Sequence, residues 1–164
     1  MPFSGERLMA EAEKFKKNLL NFFWRQGVSH YEGEDLVQET YLRLWKYRDR
    51  YKETAKLSTF LFLLARQVRL DALKMHTRRQ RREDGWSKER PETVQRPVYC
   101  TREDVRWAMS QLPEAMREVV ELAVFQDMPY AEVAEVLEIP VGTVKSRMSN
   151  ALRKLKEVLD DERS

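Results

Sequence analysis

Apolar residues along this chain recur at intervals of three and four, the spacing that places them on one side of a helix. Over Leu8–Trp24, Phe15, Leu19, Phe22 and Phe23 form such a stripe, with Lys14, Lys16 and Lys17 around it. Gly27-Val28-Ser29 breaks the pattern, and His30 and Tyr31 read as loop. A second helix is predicted over Glu34–Tyr47, with Leu36, Val37, Tyr41, Leu44 and Trp45 inward and Asp35, Gln38, Glu39 and Arg43 outward. Arg48–Ser58 has no clean period and reads as a loop entering a helix capped by Ser58 or Thr59. That helix, Phe60–Met75, begins strongly apolar and turns basic on one side through Arg66, Arg69 and Lys74. The period is then lost over Arg78–Pro97, a charged stretch with two prolines that reads as a linker.

The pattern resumes at Thr101, where Asp104 stands at the capping-box position and Val105, Ala108, Met109 and Leu112 line a helix. Pro113 opens the next helix, Glu114–Phe125, predicted to bury Val119, Leu122 and Phe125. A short helix with Val133, Ala134, Val136 and Leu137 follows, then a turn at Glu138-Ile139. Pro140 fits the first position of a longer helix, whose buried stripe is predicted as Val144, Met148, Ala151, Leu152, Leu155 and Leu159. The fold class expected is therefore all-α: two small helical domains, 1–79 and 101–164, joined by a flexible linker at 80–100. Each is small enough that burial on a partner would help its core.

Composition narrows the function. Charged residues make up 35% of the chain, above the usual quarter. Only 5 glycines in 164 residues argue against a glycine-rich phosphate loop. No run of eighteen apolar residues predicts a membrane span, the N-terminal stretch lacks an apolar signal core, and a lone Cys100 fits a reducing compartment. A cytoplasmic protein without membrane insertion is the expectation. His30, His76 and Cys100 do not have metal-ligand spacing, and no nucleophile has an evident base beside it, so neither metal, cofactor nor enzymatic activity is expected.

The net charge of +3 hides an uneven distribution. Between Arg66 and Arg82 stand Arg66, Arg69, Lys74, Arg78, Arg79, Arg81 and Arg82 against the single acid Asp71. Acids dominate from Arg102 to Glu138, and then no acid appears between Pro140 and Lys156. Two separated basic patches point to two contacts with one polyanion. In the last helix Thr143, Ser146, Arg147, Asn150 and Lys154 share the face opposite the apolar stripe, with Lys145 and Arg153 at its edges. Cations there suit phosphates, and Arg, Asn, Ser and Thr can bond base edges in a major groove. That is the layout of a helix-turn-helix with its recognition helix. The alternative is an amphipathic helix pair with a solvated basic face. The acidic edge of Asp35, Gln38 and Glu39 likewise reads either as solubilising surface or as a docking edge for a basic partner. The irregular segment before the basic helix could hold single-stranded nucleic acid, phosphates on the cations and bases in the loop.

Three segments resemble the extracytoplasmic-function (ECF) sigma factors, the small group of bacterial RNA polymerase specificity subunits in the sigma-70 family. EDLVQETYLRLW (34–45) resembles the region 2 helix that docks on polymerase. LSTFLFLLARQVRLDALK (57–74) resembles the promoter-binding helix that follows it. Residues 112–156 resemble region 4, with VGTVKSR (141–147) the most specific string. The resemblance implies that Asp35, Gln38, Glu39 and their neighbour Arg43 meet core RNA polymerase. The loop residues Asp49, Arg50, Tyr51, Lys52 and Lys56 would capture a flipped base of the −10 element, and Arg66, Arg69 and Lys74 would track its strand. Thr143, Lys145, Ser146, Arg147, Asn150, Arg153 and Lys154 would enter the −35 major groove. An anti-sigma protein is implied as a further partner.

There are departures. Leu63 and Leu64 stand where primary sigma factors carry a tryptophan pair, Glu138 replaces a common turn glycine, and Pro129 takes a position where serine often caps. A linker of about 20 residues spans at most ~70 Å, enough for the ~50 Å of one and a half DNA turns. The runner-up function is a free-standing helix-turn-helix regulator, which leaves 34–74 without a role and usually needs a dimer and a palindrome.

Overall fold

The computed structural model describes residues 4–52, 56–82 and 102–161, all of whose regular structure is helical. They fall into two compact units, one holding residues 4–23 and 29–82, the other 24–28 and 102–161. Among the described residues no helix is long and apolar enough to cross a membrane.

The first unit is built from α1 (Gly5–Glu13), α2 (Lys16–Arg25, to Phe23), α3 (His30–Tyr47) and α4 (Leu57–Arg82). Its core is made by Leu8, Ala12, Leu19, Phe22, Phe23, Leu36, Val37, Leu44, Leu61, Phe62, Leu64, Ala65 and Val68. Phe22 meets Phe23 and Phe62 edge-on, with ring centroids 5.2 and 5.4 Å apart. Such contacts are worth roughly 0.5–1.5 kcal/mol beyond the area they bury.

The single N-terminal helix expected over Leu8–Trp24 is two. The Lys14 and Phe15 amides bond to the carbonyls of Glu11 and Ala12 at 3.3 and 3.0 Å, so a tight turn ends α1 before α2 begins. The expected loop at His30–Tyr31 is the first turn of α3. Ser29 caps it, its hydroxyl accepting from the Glu32 amide at 3.2 Å. The Tyr41 hydroxyl donates to the Ala12 carbonyl at 3.3 Å and ties α3 to α1, while Thr40, fully buried, donates within α3 to the Leu36 carbonyl at 2.7 Å. Trp45, expected in the core, is 40% exposed. It lies under the Arg48 guanidinium, 4.1 Å from the ring centroid, and beside Gly5, where a Cβ would come within 2.9 Å of the ring.

α4 begins at Leu57, so Ser58 and Thr59 lie in its first turn instead of capping it, and it continues to Arg82, past the Met75 expected as its end and into the stretch expected as linker. At 1.5 Å per residue its 26 residues measure roughly 39 Å. Only its first half carries buried side chains, the last being Val68; from Asp71 onward most of its residues are exposed.

The second unit comprises residues 24–28 with α5 (Arg102–Ser110), α6 (Glu114–Val120), α7 (Tyr130–Leu137) and α8 (Val141–Asp161). The Thr101 cap expected for α5 lies outside the described residues. Met109, Leu112, Val119, Val120, Leu122, Val133, Val136, Leu137, Val144, Met148 and Ala151 form the core. α6 runs into a π turn over Glu121–Phe125, closed by the Gln126 amide on the Glu121 carbonyl at 3.0 Å. The wider turn leaves Phe125, expected inside, 36% exposed. Glu121 is fully buried. It accepts Nε and Nη2 of Arg25, in the same unit, at 2.7 and 2.8 Å and Nε2 of Gln126 at 3.1 Å. Burial pushes its carboxyl up, while Arg25 and Gln126 act in the opposite direction. A buried carboxylate that lost one of these donors would carry an uncompensated charge.

α7 ends on Glu138, which adopts the left-handed conformation with φ 57° and ψ 44°. Its amide closes on the Ala134 carbonyl, and Ile139 reaches the same oxygen at 3.1 Å. Pro140 stands just before α8, one position ahead of that expected, and its carbonyl accepts the Thr143 and Val144 amides at 3.0 and 3.2 Å. Leu152 and Leu159, expected in the buried stripe, are 53% and 54% exposed.

Replacing Glu138 by glycine is expected to stabilise the second unit by about 0.5–1 kcal/mol, because glycine removes the Cβ strain of the left-handed turn. An unchanged or lower urea midpoint would contradict this account.

Tyr41 gives a second test. Burial, and then the Glu13 carboxylate, push its hydroxyl from the ordinary 10.0 up to about 12. Between those two pH values the unfolded chain releases a proton that the folded chain keeps, so the Tyr41 contribution is full below pH 10 and is lost as pH rises towards 12. The stability advantage of the wild type over Tyr41→Phe should therefore shrink across that window in alkaline melts. A difference independent of pH would refute the burial of this hydroxyl.

Candidate polymerase and promoter interfaces

On α3, Asp35 and Gln38 are exposed and Glu39 is partly so, all on the side away from Leu36, Val37 and Leu44. They stand three and four residues apart, which makes them neighbours on one helical face. Arg43 is less accessible. Its Nε donates to Glu39 Oε1 at 3.3 Å and its Nη2 to Asp71 Oδ2 of α4 at 2.9 Å, and its side chain is only 26% exposed. The four residues thus differ: Asp35 and Gln38 are exposed, Glu39 is partly so and paired to Arg43, and Arg43 braces the edge from beside it. Leu42, which the pattern of charges alone did not single out, is 55% exposed and follows Gln38 and Glu39 by four and three residues. Its place in the outward series 35, 38, 42 was the available signal.

The segment after α3 is a turn at 48–50, with the Arg50 and Tyr51 amides bonded to the Tyr47 carbonyl at 2.9 and 3.0 Å. Asp49, Arg50, Lys52 and Lys56 are exposed. Tyr51 is half-buried, 5.8 Å from the ring of Phe60, which also meets Tyr47 at 6.0 Å. The start of α4 therefore carries an aromatic cluster with cations around it. Arg66 and Arg69 are half-buried along α4, and Lys74 is exposed. Leu64 is buried and Leu63 half-buried, so this helix carries no exposed aromatic wedge at that point. Beyond Lys74 the exposed cations continue as Arg78, Arg79, Arg81 and Arg82. An open groove of about 630 Å³ runs along this end, lined by His76, Arg78, Arg79 and Arg82 together with Glu32 of α3.

On α8 the core positions Val144, Met148 and Ala151 fix the rotation of the helix. At 3.6 residues per turn, Thr143, Ser146, Arg147, Asn150 and Lys154 then fall on one stripe centred about a third of a turn away. Ser146, Asn150 and Lys154 are exposed, and Thr143 and Arg147 are half-buried. Lys145 and Arg153 are exposed, both beyond the Ser146 edge of the stripe. The Ser146 hydroxyl donates to the Thr143 carbonyl at 3.1 Å, which leaves its oxygen able to accept. Gly142 has open space where a Cβ would stand. The stripe offers cations, an amide and hydroxyls with no carboxylate among them, a donor-rich surface suited to phosphates and purine edges.

Comparison with known proteins agrees with both halves of this arrangement. Residues 12–82 match the family described as Sigma-70 region 2, and residues 102–155 match Sigma-70, region 4. The chain is 28% identical to the ECF RNA polymerase sigma factor RpoE of Cereibacter sphaeroides over 149 residues, covering 88% of this chain and 82% of the relative. It is 25% identical to the ECF RNA polymerase sigma factor SigW of Bacillus subtilis, covering 90% and 86% respectively. With the ECF RNA polymerase sigma factor SigG of Mycobacterium tuberculosis it shares 28% identity over 91% of this chain, which spans only 48% of that longer relative. Among solved structures, the sigma factor RpoE in complex with the anti-sigma factor NepR, from Bartonella quintana, matches with a TM-score of 0.80 at 25% identity over 92% of this chain and 95% of the other. Region 2 and region 4 matches in this order, on two helical units with these exposed faces, make the chain a member of the sigma-70 family, an RNA polymerase sigma factor of the ECF type.

Proposed function

We propose that the domain 1–79 docks on core RNA polymerase and holds the opened −10 element, that 101–164 reads duplex −35 DNA, and that 80–100 links the two in the cytoplasm. The observation that carries this reading is the acid-free stripe of α8, in a chain whose α3 presents an acidic edge. Polymerase contacts the Asp35, Gln38 and Glu39 edge, with Leu42 as an apolar anchor among them. The −10 strand runs over Asp49, Arg50, Tyr51, Lys52 and Lys56 and then along Arg66, Arg69 and Lys74. A base taken out of the stack loses a few kcal/mol. The aromatic cluster of Tyr47, Tyr51 and Phe60 offers a surface against which to recover part of it. Thr143, Lys145, Ser146, Arg147, Asn150, Arg153 and Lys154 read the −35 groove, the charged members on phosphates and the others on base edges. The sigma factor performs no covalent chemistry, which belongs to the polymerase. An anti-sigma factor is a further partner, supported by the likeness to a sigma factor solved with one.

Run-off transcription with core polymerase and a pool of random promoters tests the whole scheme. Transcripts sharing two spaced elements are expected only when the protein is present. Duplex binding without transcripts would instead indicate a free-standing regulator. Arg147→Ala should lower use of a selected promoter roughly ten- to a hundredfold while leaving polymerase affinity unchanged; loss of both would indicate a folding defect. Gln38→Ala combined with Glu39→Ala should weaken core polymerase binding by about tenfold or more. An affinity equal to the wild type would remove the α3 edge from the interface.

A further inference from the structure

Asp71 is the one acid among the seven cations between Arg66 and Arg82. It is half-exposed, one turn before Lys74 and two turns before Arg78 on α4. A bare carboxylate there would interrupt the cationic surface and repel any phosphate following the helix. It is not bare, because Arg43 reaches it from α3 at 2.9 Å. The same guanidinium holds Glu39 at 3.3 Å, so its charge lies between an acid of the proposed docking edge and the lone acid of the basic helix.

We propose that Arg43 is a positioning residue that acts as counter-ion to Asp71 and makes the exposed half of α4 a continuous cationic track for nucleic-acid phosphates. This rests on the reading of α4 as the −10 DNA helix. Arg43 therefore works from behind the surface and does not itself touch polymerase or DNA. Two helices joined by a buried pair would be the ordinary structural role. Here both carboxylates are about half exposed, at 45% and 51%, where an ion pair adds little to stability and the cancelled charge matters to an approaching polyanion.

The test uses holoenzyme assembled with core polymerase, purified, and titrated with a promoter fragment selected from the random pool. Wild type, Arg43→Ala, Asp71→Asn and the double variant are compared by fluorescence anisotropy at low and high salt. Arg43→Ala is expected to bind DNA roughly fivefold more weakly at low salt, with the gap closing as salt screens the exposed charge. Adding Asp71→Asn removes the unmasked charge and should bring affinity back to within about twofold of wild type. A double variant as weak as Arg43→Ala, a loss that salt does not change, or an Arg43→Ala protein equal to wild type would each overturn the proposal. If Arg43→Ala melts early, Arg43→Gln, which can bond to Asp71 without neutralising it, replaces it with the same expectations. Arg66→Ala and Lys74→Ala separate the two levels of inference. Insensitivity of DNA affinity to both would overturn the α4 reading together with this proposal. Sensitivity to them with indifference to Arg43 would overturn the proposal alone.

Discussion

A helix that buries one stripe has its remaining faces fixed, and the candidate partner surfaces of this protein follow from that constraint. Val144, Met148 and Ala151 pack inward, so Thr143, Ser146, Arg147 and Asn150 cannot do so. Leu36, Val37 and Leu44 do the same for Asp35, Gln38 and Glu39. The placement of both exposed faces therefore rests on the small apolar side chains behind them. A core residue on α8 exchanged for one of different shape rotates or tilts the whole exposed stripe, and a placement error of this kind displaces all of its side chains together.

The two units use charge differently. In the second, a buried carboxylate is held by three donors, an arrangement in which each partner depends on the others and specificity of packing is gained at some risk to stability. In the first, charges lie at the surface and act over distance. The exposed acids of α3 and the cations of α4 stand on neighbouring helices of one small domain, and a bridging arginine keeps the opposite signs in order. That separation gives one domain of fewer than a hundred residues a cationic helix beside an acidic edge, the surfaces the proposed function assigns to an anionic strand and to a protein.

Much of this was legible in the sequence, and the exceptions have identifiable causes. The helical class, the exposed acidic edge of α3 and the acid-free polar stripe of α8 came from periodicity, which is strong wherever one face is buried and the other charged. The left-handed turn at Glu138 was legible from its place between two apolar stripes, although the residue type argued against it. The break between α1 and α2 was not legible, because Lys14 and Phe15 carry no proline or glycine and the turn is set by packing. The start of α3 was missed although Ser29 and Glu32 have the spacing of a capping box. α4 outran its prediction because a polar, basic sequence has no apolar period to follow once the core ends. Trp45 was assigned inside from its hydrophobicity, yet an indole under a guanidinium is satisfied at the surface. The Arg43–Asp71 pair was not legible, since an ion pair to a residue 28 positions later leaves no trace in local spacing.

The π turn at Glu121–Phe125 bears on how relatives of this chain should be aligned. Its hydrogen bonds span five residues where an α-helix spans four, so it accommodates one more residue per turn without lengthening the axis in proportion. A homologue that keeps a plain α-helix at this place needs one residue fewer to reach the same core. Aligned without a gap from the loop that follows, its residues would be about 100° out of phase back along α6. The homologue's counterpart of buried Val119 would then be displaced by one position, and apparent substitution at a core site would record a shift of register.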